Sequence, residues 1–96
     1  MATKKKSAYV LTDQEQVEEI VRRVRRAHGQ LGAVARMLEE GRTCDEIVTQ
    51  MAAVTKAVNT AAFSLISANL KQCVEQDRPD SEAITNQLQK LFNTLA

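Results

Sequence analysis

Between Thr43 and Val74 the chain runs without a proline or a glycine and carries a cysteine near each end, Cys44 and Cys73. The stretch opens with Thr43-x-x-Glu46, a pattern in which the two side chains cap each other's backbone, so it reads as one long helix. At about 1.5 Å per residue, the 29 steps between the cysteines span roughly 43 Å, so one copy of this helix cannot join its own thiols. At about 100° per residue the same steps fall within roughly 20° of whole turns, which puts both thiols and Asn69 on one stripe. Two antiparallel copies related by a two-fold axis near Val58 and Asn59 then set Cys44 of one chain against Cys73 and Asn69 of the other, twice over. The expectation is a symmetric dimer with thiol chemistry across its interface.

Length points the same way. A chain of 96 residues makes one small domain with little core of its own, and self-association supplies the missing cover. Aromatic residues are scarce and Trp is absent, so the core is built from Ala, Val, Leu, Ile and Met, as in helical bundles. No strand pattern competes, and the expected fold class is all-α. No apolar run of about 18 residues and no signal-peptide layout is evident, because Lys4-Lys5-Lys6 leads into a polar segment; the expected location is the cytoplasm, with no membrane partner. Two cysteines in such a compartment are free, metal-bound or redox-active more often than bridged. The net charge of +1 says less than the clustering of Arg22, Arg23, Arg25 and Arg26.

Taken in order, residues 1–11 form a basic tail that either attracts a polyanion or simply solubilises the chain. Residues 12–96 form a single helical domain, with helices over about 13–40, 44–76 and 81–95. Thr12 is the expected N-cap of the first helix, with Glu15 as its reciprocal partner. Val17, Ile20, Val21, Val24, Leu31, Val34, Ala35 and Leu38 give this helix one apolar face, and Gly41 ends it. Gly29 and Gly32, inside the helix, imply close approach of a neighbouring helix. Arg22, Arg23, Arg26 and Arg36 lie off that face. They read either as a phosphate-binding surface or as a solvated face partly paired with Glu18 and Glu19 one turn earlier. His28 is a lone histidine, a weak signal for a metal ligand.

The N-terminus of the second helix favours a thiolate at Cys44, and the neighbouring Asp45 and Glu46 oppose it. The apolar residues of this helix spread over more than one face, more than the first helix covers. Pro79 breaks the pattern, with Asp80 or Ser81 available to cap a third helix whose stripe is Ile84, Leu88, Leu91, Phe92 and Leu95. No catalytic triad, metal-hydrolase or phosphate-loop pattern is present, so an enzyme is not expected.

The ordered set Arg22-Arg23-Val24-Arg25-Arg26-Ala27-His28-Gly29-Gln30-Leu31-Gly32, Arg36-Met37-Leu38-Glu39-Glu40, Cys44, Thr49-Gln50-Met51-Ala52-Ala53-Val54 and Asn69-x-x-x-Cys73 resembles the CsoR/RcnR/FrmR repressors over about residues 17–74. The resemblance implies an all-helical DNA-binding protein without a helix-turn-helix, three helices per chain, built as an antiparallel four-helix dimer that pairs into a tetramer. It also implies release from operator DNA on sensing a metal, formaldehyde or reactive sulfur. Arg23 best matches a family position implicated in DNA binding, and Arg22, Arg26 and Lys56 join it on expected exposure.

Copper sensors of this family use a cysteine of one chain and a His-x-x-x-Cys pair of the other. Here Asn69 stands at the histidine position, and a carboxamide is a poor donor for Cu(I). Thr43 stands where copper sensors often carry a Tyr. The retained pair Cys44 and Cys73 is similar to that of the family's persulfide-sensing CstR-like branch, in which two thiols become joined by a di-, tri- or tetrasulfide bridge and no cofactor is required. The leading expectation is a persulfide-responsive repressor. The alternative is a Cu(I)-responsive one with a two-thiolate site at Cys44 and Cys73, and a purely structural bundle with incidental cysteines is the remaining class.

Overall fold

The computed structural model describes residues 10–76 and 79–95. Three helices follow one another, α1 (Gln14–Glu39), α2 (Cys44–Gln76) and α3 (Ser81–Leu95), and no strand occurs among the described residues. The all-α expectation is met. What was read into the basic residues before Val10, and into Asp77 and Arg78, lies outside the described residues.

The α1–α2 corner is built from local chemistry. Gly41 takes φ 72°, the left-handed region open to glycine. Its N–H donates to the Leu38 carbonyl at 3.2 Å and that of Arg42 donates to Met37 at 3.0 Å, so the last carbonyls of α1 are satisfied as the chain turns. Two residues later the Thr43 hydroxyl accepts from the Glu46 N–H at 3.3 Å, and the Glu46 carboxylate accepts from the Thr43 N–H at 3.3 Å. This is the reciprocal cap read from Thr43-x-x-Glu46.

The first helix starts differently from expectation. Asp13, not Thr12, is the N-cap, its carboxylate accepting from the N–H groups of Glu15 and Gln16 at 3.0 and 3.3 Å. Thr12 is occupied elsewhere: its N–H and its hydroxyl both donate to Gln72 Oε1, at 2.8 and 3.0 Å. Gln72 Nε2 in turn donates to the Val10 carbonyl at 2.9 Å. One side chain of α2 thus fixes where the chain enters α1.

The helices α1 and α2 pack antiparallel, Thr12 just before α1 meeting Gln72 near the end of α2 and the Gln30 carbonyl, farther along α1, accepting from Gln50 Nε2 at 3.5 Å. Their shared core is Val34, Ile47 and Val54 with Met37 against it. A second cluster, Cys73, Ile84 and Leu88 with Ile66, docks α3 on the end of α2, and Phe63 meets Phe92 with ring centroids 4.9 Å apart. The result is a rod of 55 × 25 × 25 Å.

The single apolar face expected of α1 is divided. Ala27 and Val34 turn to α2, whereas Val24, Leu31 and Leu38, at seven-residue spacing, stay half-exposed or more. On α2, Met51, Val58 and Leu65 repeat the same spacing and are also left open. The seven-residue rows on the two adjacent helices together leave an uncovered apolar strip along the rod.

Two further expectations are corrected. No neighbouring helix presses on Gly29 or Gly32: a Cβ at Gly29 meets nothing, and one at Gly32 meets only the flexible end of Arg36 at 3.7 Å. And α2 is long and apolar enough, by length and composition, to cross a membrane. Apolar residues on two of its faces, one against α1 and one open, raise its average. Lys56, Thr60, Ser64, Ser67 and Lys71 nevertheless run along a third face at three- and four-residue steps, a stripe that hydrocarbon would not solvate.

Candidate functional site

Both cysteines are free, and α2 runs unbroken between them. Within one chain the straight helix holds them about 43 Å apart, far beyond the roughly 6 Å Cα separation of a disulfide. They occupy unlike surroundings. Cys44 is exposed at the start of the helix, seven residues before Met51, and so continues the open row Met51, Val58 and Leu65.

Around Cys44 the polar groups are committed to the helix start. The Thr43 hydroxyl is held in the cap, donating to Glu46 Oε1 at 3.2 Å. Arg42 grips the same carboxylate through two bonds, Nε at 3.1 Å and Nη2 at 2.8 Å, with Glu40 3.8 Å away on its other side. The hydrogen bond from Arg42, then that from the Thr43 backbone, draws the Glu46 carboxyl down to about 2, and the Glu46 bond raises Arg42. A lowered carboxyl stabilises the fold above its ordinary value of 4.5, and that contribution is lost as pH falls from there toward about 2. The expected outcome is that α2 frays from Thr43 over this window. Amide exchange at Thr43 and Glu46 measures it, and Glu46→Gln should remove the pH step.

Cys73 is only 3% exposed. Its thiol lies 3.9 Å from the Ser81 carbonyl as a donor and packs against Ile84 and Leu88, so the first turns of α3 cover it. Asn69, one turn earlier, is buried and donates through Nδ2 to the Leu65 carbonyl at 3.1 Å. Its amide is therefore tied to its own helix. Among the described residues no group of three His, Cys, Asp or Glu side chains is placed to hold a metal ion.

On the flank away from the open apolar rows, Arg23, Arg26, Gln30, Ala53, Lys56, Ala57 and Thr60 line a groove of about 370 Å³ between α1 and α2. Three of the four basic residues picked from the sequence meet in it, and Arg22 does not line it. Small Ala53 and Ala57 share the lining with the long cationic side chains, and guanidinium and ammonium groups so gathered are suited to attract an anion. Arg23 is partnered within its own helix, Nη2 lying 3.1 Å from Glu19 Oε2, the i,i+4 pairing that the sequence suggested. Sequence reasoning missed Gln30 and Thr60, which stand one turn from Arg26 and Lys56 and repeat the spacing of a shared face.

The family model for metal-sensitive transcriptional repressors matches residues 16–96. The chain is 38% identical over 60 residues to the copper-sensing transcriptional repressor RicR of Mycobacterium tuberculosis, covering 62% of each chain. It is 34% identical over 59 residues to the uncharacterized protein YrkD of Bacillus subtilis, covering 62% of this chain and 94% of that one. The chain therefore spans less than two thirds of RicR. No solved structure matches at a significant level.

Proposed function

This chain belongs to the metal-sensitive transcriptional repressors of the CsoR/RcnR family, which are not enzymes, and we propose that it is a persulfide-responsive member, akin to the CstR-like branch. In this reading it is cytoplasmic, holds operator DNA as a homodimer or homotetramer, and lets go when a sulfur bridge joins Cys44 of one chain to Cys73 of another. The observation that carries the reading is positional. Cys44 ends the uncovered row Met51, Val58 and Leu65, and Cys73 sits at the far end of the same unbroken helix. An antiparallel partner laid along that row brings the two kinds of thiol together and covers half-exposed side chains worth roughly 1 kcal/mol each.

Exposure supports an order of events. Cys44 is open to solvent and attacks first, whereas Cys73 stays shielded until α3 shifts. The Cys44 thiolate attacks the outer, sulfane sulfur of an organic persulfide, forming a Cys44 persulfide as the inducer's S–S bond breaks and its thiolate leaves. The partner's Cys73 thiolate then attacks the Cys44 sulfur, forming the cross-chain disulfide and expelling hydrosulfide. Two thiols are oxidised, and the persulfide is reduced to a thiol and hydrogen sulfide. The DNA-facing groups in this reading are Arg23, Arg26 and Lys56 in the groove, with Arg22 beside it.

Similarity to a copper-sensing repressor favours a second reading, in which the same two thiolates hold Cu(I) between chains. Asn69 weakens it, since its amide is turned to the backbone and is a poor copper donor. Mass spectrometry of the reduced protein, exposed without oxygen to an organic persulfide or to Cu(I), separates the two. Covalent dimers with persulfide and no tight copper support the leading reading. A stoichiometric copper complex, with no cross-link from persulfide, overturns it.

A further inference from the structure

A second concavity, about 280 Å³, lies between α1 and α2 and is lined by Gln16, Glu19, Ser64, Ser67 and Lys71 around Ile20 and Ala68. Polar residues make up most of its lining, although apolar surface is also exposed in it, and it lies on the flank that carries the basic groove. On α1 its residues step from Gln16 and Glu19 to Arg23, Arg26 and Gln30. On α2 they step from Lys71, Ser67 and Ser64 to Thr60 and Lys56, all by three or four positions. The two concavities abut, because Glu19 lines one, Arg23 lines the other, and their side chains are 3.1 Å apart.

We infer that the two form one phosphate-binding trough, in which Lys71 with Ser64 and Ser67 makes a second contact with the DNA backbone beyond Arg26 and Lys56. The inference rests on the DNA-binding reading above and extends it. From Lys56 to Lys71 the trough covers roughly 22 Å at about 1.5 Å per residue, the axial rise of about six nucleotides at about 3.4 Å each. A hydroxyl pair beside an ammonium is suited to phosphate oxygens, and no base-reading side chain is needed. Glu19 is the one carboxylate in the trough. It neutralises Arg23 when DNA is absent and repels phosphate when DNA arrives, so DNA must draw Arg23 away from it.

The test is binding of the full chain to a scrambled-sequence duplex, which isolates the phosphate contribution, at several salt concentrations. Lys71→Ala is expected to weaken binding about three- to tenfold and to lower the salt slope by about one per bound chain, with Glu19→Gln strengthening binding by a similar factor. Helicity, thermal unfolding and sedimentation of both variants should match the parent, since Lys71 and Glu19 are exposed. Unchanged binding by Lys71→Ala, while Arg26→Ala and Lys56→Ala both weaken it, overturns the extended trough and leaves the DNA reading standing. A change in oligomeric state with no change in DNA affinity also overturns it, by assigning the trough to a second copy. If Arg26→Ala and Lys56→Ala are silent too, the DNA placement itself fails.

Discussion

Cys44→Ser and Cys73→Ser are each expected to abolish release from DNA by an organic persulfide, with the reduced variants still binding operator to within about twofold of the parent, the range of a small change outside the contact surface. The two fail at different steps. In Cys73→Ser the exposed Cys44 still takes up a sulfur atom, so a chain heavier by one sulfur accumulates and no covalent dimer forms. In Cys44→Ser the remaining thiol is the one covered by Ser81, Ile84 and Leu88, so the chain stays unmodified over the same time. Because Cys73 is packed among apolar groups, its serine variant is expected to cost about 1–2 kcal/mol of stability for an ill-placed hydroxyl. Cys73→Ala provides the matched control. Gel-shift titration with intact-mass measurement on the same samples reads both outcomes. Release of either serine variant by persulfide at the parent's dose would contradict the paired-thiol mechanism.

The second large effect concerns assembly. Val58→Asp sits at the midpoint of the Cys44–Cys73 span, where a two-fold axis brings the position against its own copy. Val58 is 49% exposed in the single chain and belongs to neither buried core cluster. In an antiparallel dimer the change buries two carboxylates face to face, and the expected penalty is roughly 3 kcal/mol or more, a weakening of self-association by at least about a hundredfold. Sedimentation equilibrium should show monomer where the parent is dimer or tetramer, and persulfide cross-linking should vanish although both cysteines remain. Val74→Asp makes a useful contrast, since Val74 is 69% exposed and lies on the opposite side of α2 from the Met51, Val58 and Leu65 row. A variant at Val58 that assembles like the parent would place the partner on some other face.

What could be read from the chain beforehand follows how local each determinant is. The Thr43–Glu46 cap and the Gly41 turn were legible because their partners lie within a few residues, as was the Glu19–Arg23 pair. Thr12 was misread as a cap because two candidate caps stand side by side, and the choice between them is made by Gln72, sixty positions away. Helical spacing put Cys44 and Cys73 on one stripe, but the cover over Cys73 depends on α3 folding back after Pro79, which no periodicity within α2 encodes. The same holds for the split face of α1. Val24, Leu31 and Val34 look equivalent in a pattern of apolar residues, and the crossing of α2 over Val34 leaves the other two outside. Gly29 and Gly32 invited a close neighbour that this chain does not provide. In the basic groove, the cluster of arginines announced itself, whereas Thr60 and Gln30 are ordinary polar residues until two helices lie side by side.

Mixing chains that each keep one cysteine tests the central claim most directly. Cys44→Ser and Cys73→Ser chains of different mass, co-refolded and then oxidised with an organic persulfide, are predicted to give a covalent heterodimer. Its bridge should map to Cys73 of the first chain and Cys44 of the second, with no covalent dimer from either chain alone. Homodimers bridged Cys44 to Cys44 or Cys73 to Cys73, or no cross-link in the mixture while the parent protein still responds, would contradict an antiparallel meeting of the two thiols.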